Sequence, residues 1–138
     1  MANTTKSQTN PNSQIPSNNV GKKSGDKIYD IRERAFRFSE RILEIADLIP
    51  LSPATHRLCD QLVGSGTSIG ANLEEADGSI TKRDFVNKIA IARKEAKETK
   101  YWLRLIKSKY LPNGSIAADI QETQEIINIL SAIINKTK

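Results

Sequence analysis

Two groupings in this 138-residue sequence have the residue types and spacing of a reactive site. Gly66-Thr67-Ser68-Ile69-Gly70 matches the G-x-S-x-G pattern of a hydrolase nucleophile elbow, with His56 the only histidine available as a base. An elbow needs a strand-to-helix turn above a parallel sheet, with the acid and the histidine following the serine. Here the histidine comes first and the segment sits inside a helical apolar period, so no serine hydrolase is expected. Packing gives these residues another use. Gly64, Ser65, Gly66, Ser68, Gly70 and Ala71 remove bulk from one helix so that a neighbouring backbone can approach, against a propensity cost of roughly 1 kcal/mol per glycine. Glu75 and Glu98 are the second grouping, a carboxylate pair near the apolar stripes of adjacent helices. Carboxylate-metal bundles require Glu-x-x-His ligand sets, which one histidine cannot supply. The two carboxylates are expected to be satisfied by hydrogen bonds between helices, to Asn72 or Tyr101. Cys59 is the only cysteine, so no internal disulfide and no Cys/His zinc site can form. The sequence points to no catalytic residue, no metal and no cofactor.

A third pattern is electrostatic. Arg93, Lys97, Lys100, Arg104 and Lys107 step by four and three along one helix, with Arg83 and Lys94 extending the same face. Residues 81–110 hold ten of the twenty-one Lys and Arg residues and carry a net +7, whereas the whole chain carries +5. From Arg93 to Lys107 the row rises about 21 Å, a length over which a nucleic-acid strand presents several phosphates. Such a row binds polyanions by counterion release and is indifferent to base sequence. A second use of the row is internal. Asp26, Asp30, Glu33, Glu40, Glu44 and Asp47 form a matching acidic row on the first helix, which can pair with it within one subunit or across a contact between subunits.

Four helices position these residues. Ile28, Ile31, Ala35, Phe38, Ile42, Ile45 and Ile49 step by three and four, a helical and not a strand period. Asp26 stands as the expected N-cap and Pro50 closes the helix behind Ile49. Ser52-Pro53 then caps and opens a second helix running to Asp77-Gly78, where glycine suits a left-handed C-terminal residue. Its inner stripe is Leu58, Leu62, Ser65, Ile69, Leu73 and Ala76. Thr81-Lys-Arg-Asp84 reads as a capping box opening helix three, whose stripe is Phe85, Ile89, Ala92, Ala96, Thr99, Leu103 and Ile106. After the turn Leu111-Pro-Asn-Gly114, a fourth helix from Ser115 carries Ile116, Ile120, Thr123, Ile127, Leu130 and Ile134. The expected fold is all-α, an antiparallel up-down-up-down four-helix bundle over residues 26–138. Residues 1–25 are nearly all Asn, Thr, Ser, Gln, Lys, Pro and Gly, and are expected to form a disordered basic tail.

Some apolar surface exceeds what one bundle needs. Tyr29, Phe36 and Leu43 recur every seven residues, about 100° around helix one from its inner stripe. Ile126, Ile129 and Ile133 widen helix four in the same way. These second seams predict a homo-oligomer, the alternative being that they broaden a single core. With no run of eighteen apolar residues and no apolar leader, neither a membrane span nor export is expected, and the protein is placed in the cytoplasm.

Three motifs in order carry a family likeness: Thr67-Ser-Ile-Gly-Ala-Asn-Leu-Glu-Glu-Ala76, Thr81-Lys-Arg-Asp-Phe85, and Ala92-Arg-Lys-Glu-Ala-Lys-Glu-Thr-Lys-Tyr-Trp-Leu103. Through them the chain resembles the bacterial four-helix-bundle family encoded in intervening sequences of 23S ribosomal RNA genes. It resembles more distantly the accessory variability determinant of diversity-generating retroelements. The resemblance excludes the tail, and Glu74 replaces a small residue common at its place. It implies a homopentameric ring and, in the retroelement branch, a basic surface engaging RNA or DNA and a reverse transcriptase. Two functions are therefore expected as alternatives: a non-enzymatic nucleic-acid-binding protein working through helix three, or an adaptor whose ring docks a partner such as a reverse transcriptase.

Overall fold

An apolar stripe on one side of a helix is stable only when another stripe covers it, and four such helices joined by short turns can cover each other. A computed structural model describes the backbone of residues 24–114 and 116–138, and the side chains from Ile31 onward over the same range. Four helices follow in order, α1 Ser24–Leu48, α2 Pro53–Asp77, α3 Lys82–Lys109 and α4 Ala117–Thr137. No strand occurs among the described residues. The expected disordered tail lies outside the described residues except for Ser24 and Gly25, which belong to α1. That helix opens two residues before the expected cap Asp26.

Local chemistry sets the boundaries. The Ser52 side chain accepts from the Thr55 amide at 3.1 Å with Pro53 at the first helical position, as the sequence predicts. Thr55 is buried, and its hydroxyl donates back to the Pro50 carbonyl, tying the α1–α2 turn to the helix it opens. Gly78 has φ −92°, so α2 does not end through a left-handed glycine. Its amide instead donates to the Glu75 carbonyl at 3.1 Å. At Thr81 the hydroxyl accepts from the Asp84 amide at 3.0 Å, and among the described residues this is the one arm of the capping box that forms. The turn before α4 uses its glycine in the left-handed region, Gly114 at φ +82°. Helix α4 itself begins at Ala117, later than Ser115, and Ile116 at its N-cap makes no side-chain capping hydrogen bond.

The heptad stripes form the core. Ile31, Ala35, Phe38, Ile42 and Ile45 of α1 and Ile49 just past its end are all buried, as are Leu62, Ile69, Leu73 and Ala76 of α2. Ile89, Ala92, Ala96, Leu103 and Ile106 of α3 join them. Leu58, Phe85 and Ile120 lie half-buried at the rim. Ile126 is fully buried, and Ile129 and Ile133 pack against the core, so the wide face of α4 broadens one core and leaves no second seam. Helix α1 differs: Phe36 is 58% and Leu43 49% exposed. Tyr29 is in the helix, with its side chain outside the described residues.

The small residues of α2 leave room for α1 at Gly66 and Gly70. A Cβ on Gly66 would lie 2.8 Å from Ile42 Cγ1, and one on Gly70 would meet Ala35 at 3.6 Å. Gly64 faces open space, so it takes no part in this approach. Inside the bundle the Thr99 and Ser65 hydroxyls hydrogen-bond at 2.8 Å, which satisfies two buried polar groups across α2 and α3. Each helix packs on its successor, and the contact between α1 and α4 is the sparsest. Among the described residues helices α1 and α3 make no close approach.

Candidate nucleic-acid interface

The stripe predicted on α3 lies along its α4 side. Arg93 Nη1 donates to Ser131 Oγ at 3.2 Å and Lys100 Nζ donates to Gln124 Oε1 at 2.6 Å. Gln124 in turn donates to Asn128 Oδ1 at 2.8 Å. These bonds fix the base of the stripe, while Lys97 and Arg104 are exposed and Lys107 is half-buried. Lys100, Arg104, Lys107 and Ser108 line a shallow groove of about 520 Å³ with Ile120 of α4. Lys94 and Arg83 are exposed but stand apart. Lys94 follows Arg93 by one residue, about 100° around the helix, so it belongs to the outward face.

Charge is distributed unevenly between helices. Arg32 of α1 bonds Glu74 at 2.7 Å, with Asp77 at 3.4 Å. Arg34 meets Glu122 at 2.7 Å and Glu125 at 2.6 Å. Arg37 meets Glu33 at 3.6 Å, and Arg41 meets Asp119 at 3.0 Å and Glu44 at 3.2 Å. The guanidinium pKa values of Arg34 and Arg41 are pushed up, chiefly by the hydrogen bonds these side chains donate to Glu122 and Asp119 respectively. The cations of α3 fare differently: among the described residues Lys88, on Glu75 at 2.5 Å, is the one with an acidic partner. Among the described residues the acids of α1 do not meet the stripe within a subunit, because α1 and α3 are not neighbours there.

The remaining candidates take structural roles. Gly66 to Gly70 lie within the continuous helix α2, with no strand-to-helix turn, and Ser68 Oγ donates to the Gly64 carbonyl at 2.6 Å. His56 is exposed twelve residues earlier on the same helix, about 18 Å away along the axis, and lies 4.0 Å from Asp60. Glu75 bonds Lys88, and Glu98 accepts from Trp102 Nε1 at 3.0 Å. Both carboxylates are thus satisfied, but by neither Asn72, which donates to the Ser68 carbonyl, nor Tyr101. Burial pushes the Cys59 thiol up, with Asp60 and Asp47 adding to it. Among the described residues no group of three or more His, Cys, Asp and Glu could hold a metal ion. No helix among them is long and apolar enough to cross a membrane.

Two contributions escape a reading of charge alone. On α4 the residues Gln124, Asn128 and Ser131 step by four and three beside the stripe, and this uncharged polar row is visible in the sequence once α4 is known to flank α3. Tyr101 is 56% exposed and shares a groove of about 220 Å³ with Arg104, Leu105 and Ser108.

No curated protein matches the chain. A 1.70 Å crystal structure of a protein of unknown function from the S23 ribosomal protein family of Bacteroides thetaiotaomicron superposes with a TM-score of 0.71 at 33% identity, covering 79% of this chain and 98% of that one. The 23S rRNA-intervening sequence protein family model matches residues 27–132, and the chain belongs to that family.

Proposed function

We propose that this is a non-enzymatic nucleic-acid-binding protein whose contact surface is the α3 stripe of Arg93, Lys97, Lys100, Arg104 and Lys107, with Arg83 and Lys94 on its outer margin. The observation that carries the reading is the contrast in charge pairing. Every described arginine of α1 has a carboxylate, whereas these α3 cations have none among the described residues and are flanked on α4 by neutral side chains. Uncompensated cations in a row are costly to one another and are relieved by a polyanion. Charge reversal tests it. Lys97→Glu, Lys100→Glu, Arg104→Glu and Lys107→Glu together are expected to abolish binding to RNA and DNA while leaving helicity intact. Single neutralisations should flatten the log-affinity against log-salt slope by about 0.7 to 0.9 for each phosphate left without its cation. Wild-type protein that binds neither nucleic acid at about 50 mM salt, where such contacts are strongest, would end the reading.

The second reading is assembly and docking, and the exposed Phe36 and Leu43 favour it. We infer an up-down-up-down bundle that closes with copies of itself into a pentameric ring through Phe36, Leu43 and Tyr29, as the family likeness implies. Opposed contacts such as Cys59 with Ala46 against Gly70 with Ala35 support the antiparallel course. Such a ring would offer a platform for a protein partner such as a reverse transcriptase if the kinship extends to retroelement accessory proteins. Its stripe would then pair with acids of a neighbouring subunit, and the same charge reversals would break the ring without changing any salt slope.

A further inference from the structure

We propose that the outward face of α3 binds unpaired bases, with Tyr101 as the stacking platform and Arg104 linking it to the phosphate row. The inference rests on the nucleic-acid reading above and narrows it to single strands. Three observations support it. First, Tyr101 is 56% exposed in a chain with only 5% aromatic residues, on the helix that carries the unpaired cations. Second, its ring is held. It stands edge-on to Trp102, with centroids 5.2 Å apart and planes at 73°. Trp102 is itself fixed by its bond to Glu98 at 3.0 Å and by packing against the core. A ring already braced along one edge loses little freedom when a base covers its open face. Third, Arg104 lines both grooves, one with Tyr101, Leu105 and Ser108, the other with Lys100 and Lys107. A base on Tyr101 would therefore have its adjoining phosphates within the reach of the stripe, and Lys97 lies one turn away on the same side.

Stacking separates single strands from duplexes. In a duplex the base faces are occupied by neighbouring bases, and an aromatic side chain on a helix surface gains nothing from them. On a single strand each base offers a free face to any aromatic ring, whatever its identity. The stripe alone would favour the denser charge of a duplex. A preference for single strands is thus the signature that cations by themselves do not give.

The test uses the full chain at about 50 mM salt and four labelled probes: a mixed-sequence RNA strand, a DNA strand, an abasic strand of equal length, and a duplex. The wild type is expected to bind one or both intact strands more tightly than the abasic strand and the duplex, and to change the emission of Trp102 as it does so. Tyr101→Ala should weaken binding to intact strands by about 5- to 100-fold, the worth of one stacked base, and leave the abasic strand unaffected. Tyr101→Phe, which keeps the ring, should bind as the wild type does. Equal loss on intact and abasic strands, or no loss on either, would overturn the proposal while leaving the nucleic-acid reading in place. So would a wild type that prefers the duplex, or a Tyr101→Ala variant whose subunit number changes. Failure of the wild type to bind any probe would instead remove the nucleic-acid reading itself, and this inference with it.

Discussion

Glycine has opposite meanings two residues apart in α2. At Gly66 a Cβ would meet Ile42 Cγ1 at 2.8 Å and Cγ2 at 2.9 Å, and Ile42 is fully buried and stiff at its branched Cβ. At Gly64 a Cβ would meet nothing within 4 Å. Gly66→Ala should therefore destabilise the fold by a net ~1–2 kcal/mol, the overpacking exceeding the gain in helix propensity. Gly64→Ala should stabilise it by ~0.5–1 kcal/mol through helix propensity alone. Urea melts of both variants at one protein concentration check this, and two changes of the same sign would contradict it. The run of small residues around Ser65 is plain in the sequence, and so is its packing purpose. Which glycine is indispensable is not plain, because that depends on which side of α2 meets α1. The satisfied carboxylates show the same limit: that Glu75 and Glu98 would be paired is legible from their stripes, but Lys88 and Trp102 as partners come from side-chain reach across and along helices.

Between elements, among the described residues, the α1–α4 contact is the sparsest in backbone terms and the richest in ion pairs. Arg41 Nε and Nη2 reach the two oxygens of Asp119 at 3.0 and 3.1 Å, and Asp119 is nearly buried. Forked pairs of this kind are directional and hold two helices in register. Loss of Arg41 leaves a shielded carboxylate without its partner, so Arg41→Met should cost ~1–3 kcal/mol, and Arg41→Met with Asp119→Leu should recover much of that. The neighbouring Arg34 supplies a pH dependence. Its guanidinium beside Glu125 holds that carboxyl below the usual carboxylate range, with Gln121 assisting. A carboxylate lowered on folding stabilises above its unfolded value and loses the effect as pH falls through its folded value. Arg34→Gln should accordingly lower Tm at neutral pH, and the gap to the wild type should narrow as the pH is taken below about 4. A gap that widens toward acid would refute the pairing. Heptad spacing made the four helices and most of their buried residues legible, and residue type gave the caps at Ser52 and Thr81, but not the start of α1 at Asp26 or a left-handed end of α2 at Gly78. It also suggested that the acids of α1 could meet the cations of α3, and within a subunit they do not, because a period identifies a face without identifying the neighbour. Packing decides that, and it puts α2 and α4 between them.

At the scale of the whole molecule, one side of the bundle is electrically compensated and the other is not. Acids of α2 and α4 pair with the arginines of α1, while α3 keeps a net +7 over residues 81–110. Close to the compensated side Phe36 and Leu43 remain exposed, and large apolar residues next to neutralised charge suit a protein contact better than a polyanion. The two surfaces can thus act together, one joining copies and the other presenting cations outward. This division predicts a particular coupling. The wild type should run in native mass spectrometry at micromolar concentration as a closed assembly of five copies. Phe36→Asp with Leu43→Asp should release monomers of unchanged helicity, since neither side chain belongs to the core. A strand long enough to cross several subunits binds the assembly by several stripes at once, so the monomeric variant should lose affinity for it by about 10² or more. On a strand spanning one stripe, wild type and variant should bind alike, because the variant keeps every α3 cation. A wild type that is monomeric at that concentration, or a variant that loses the short strand as well, would show that the two surfaces are not separate.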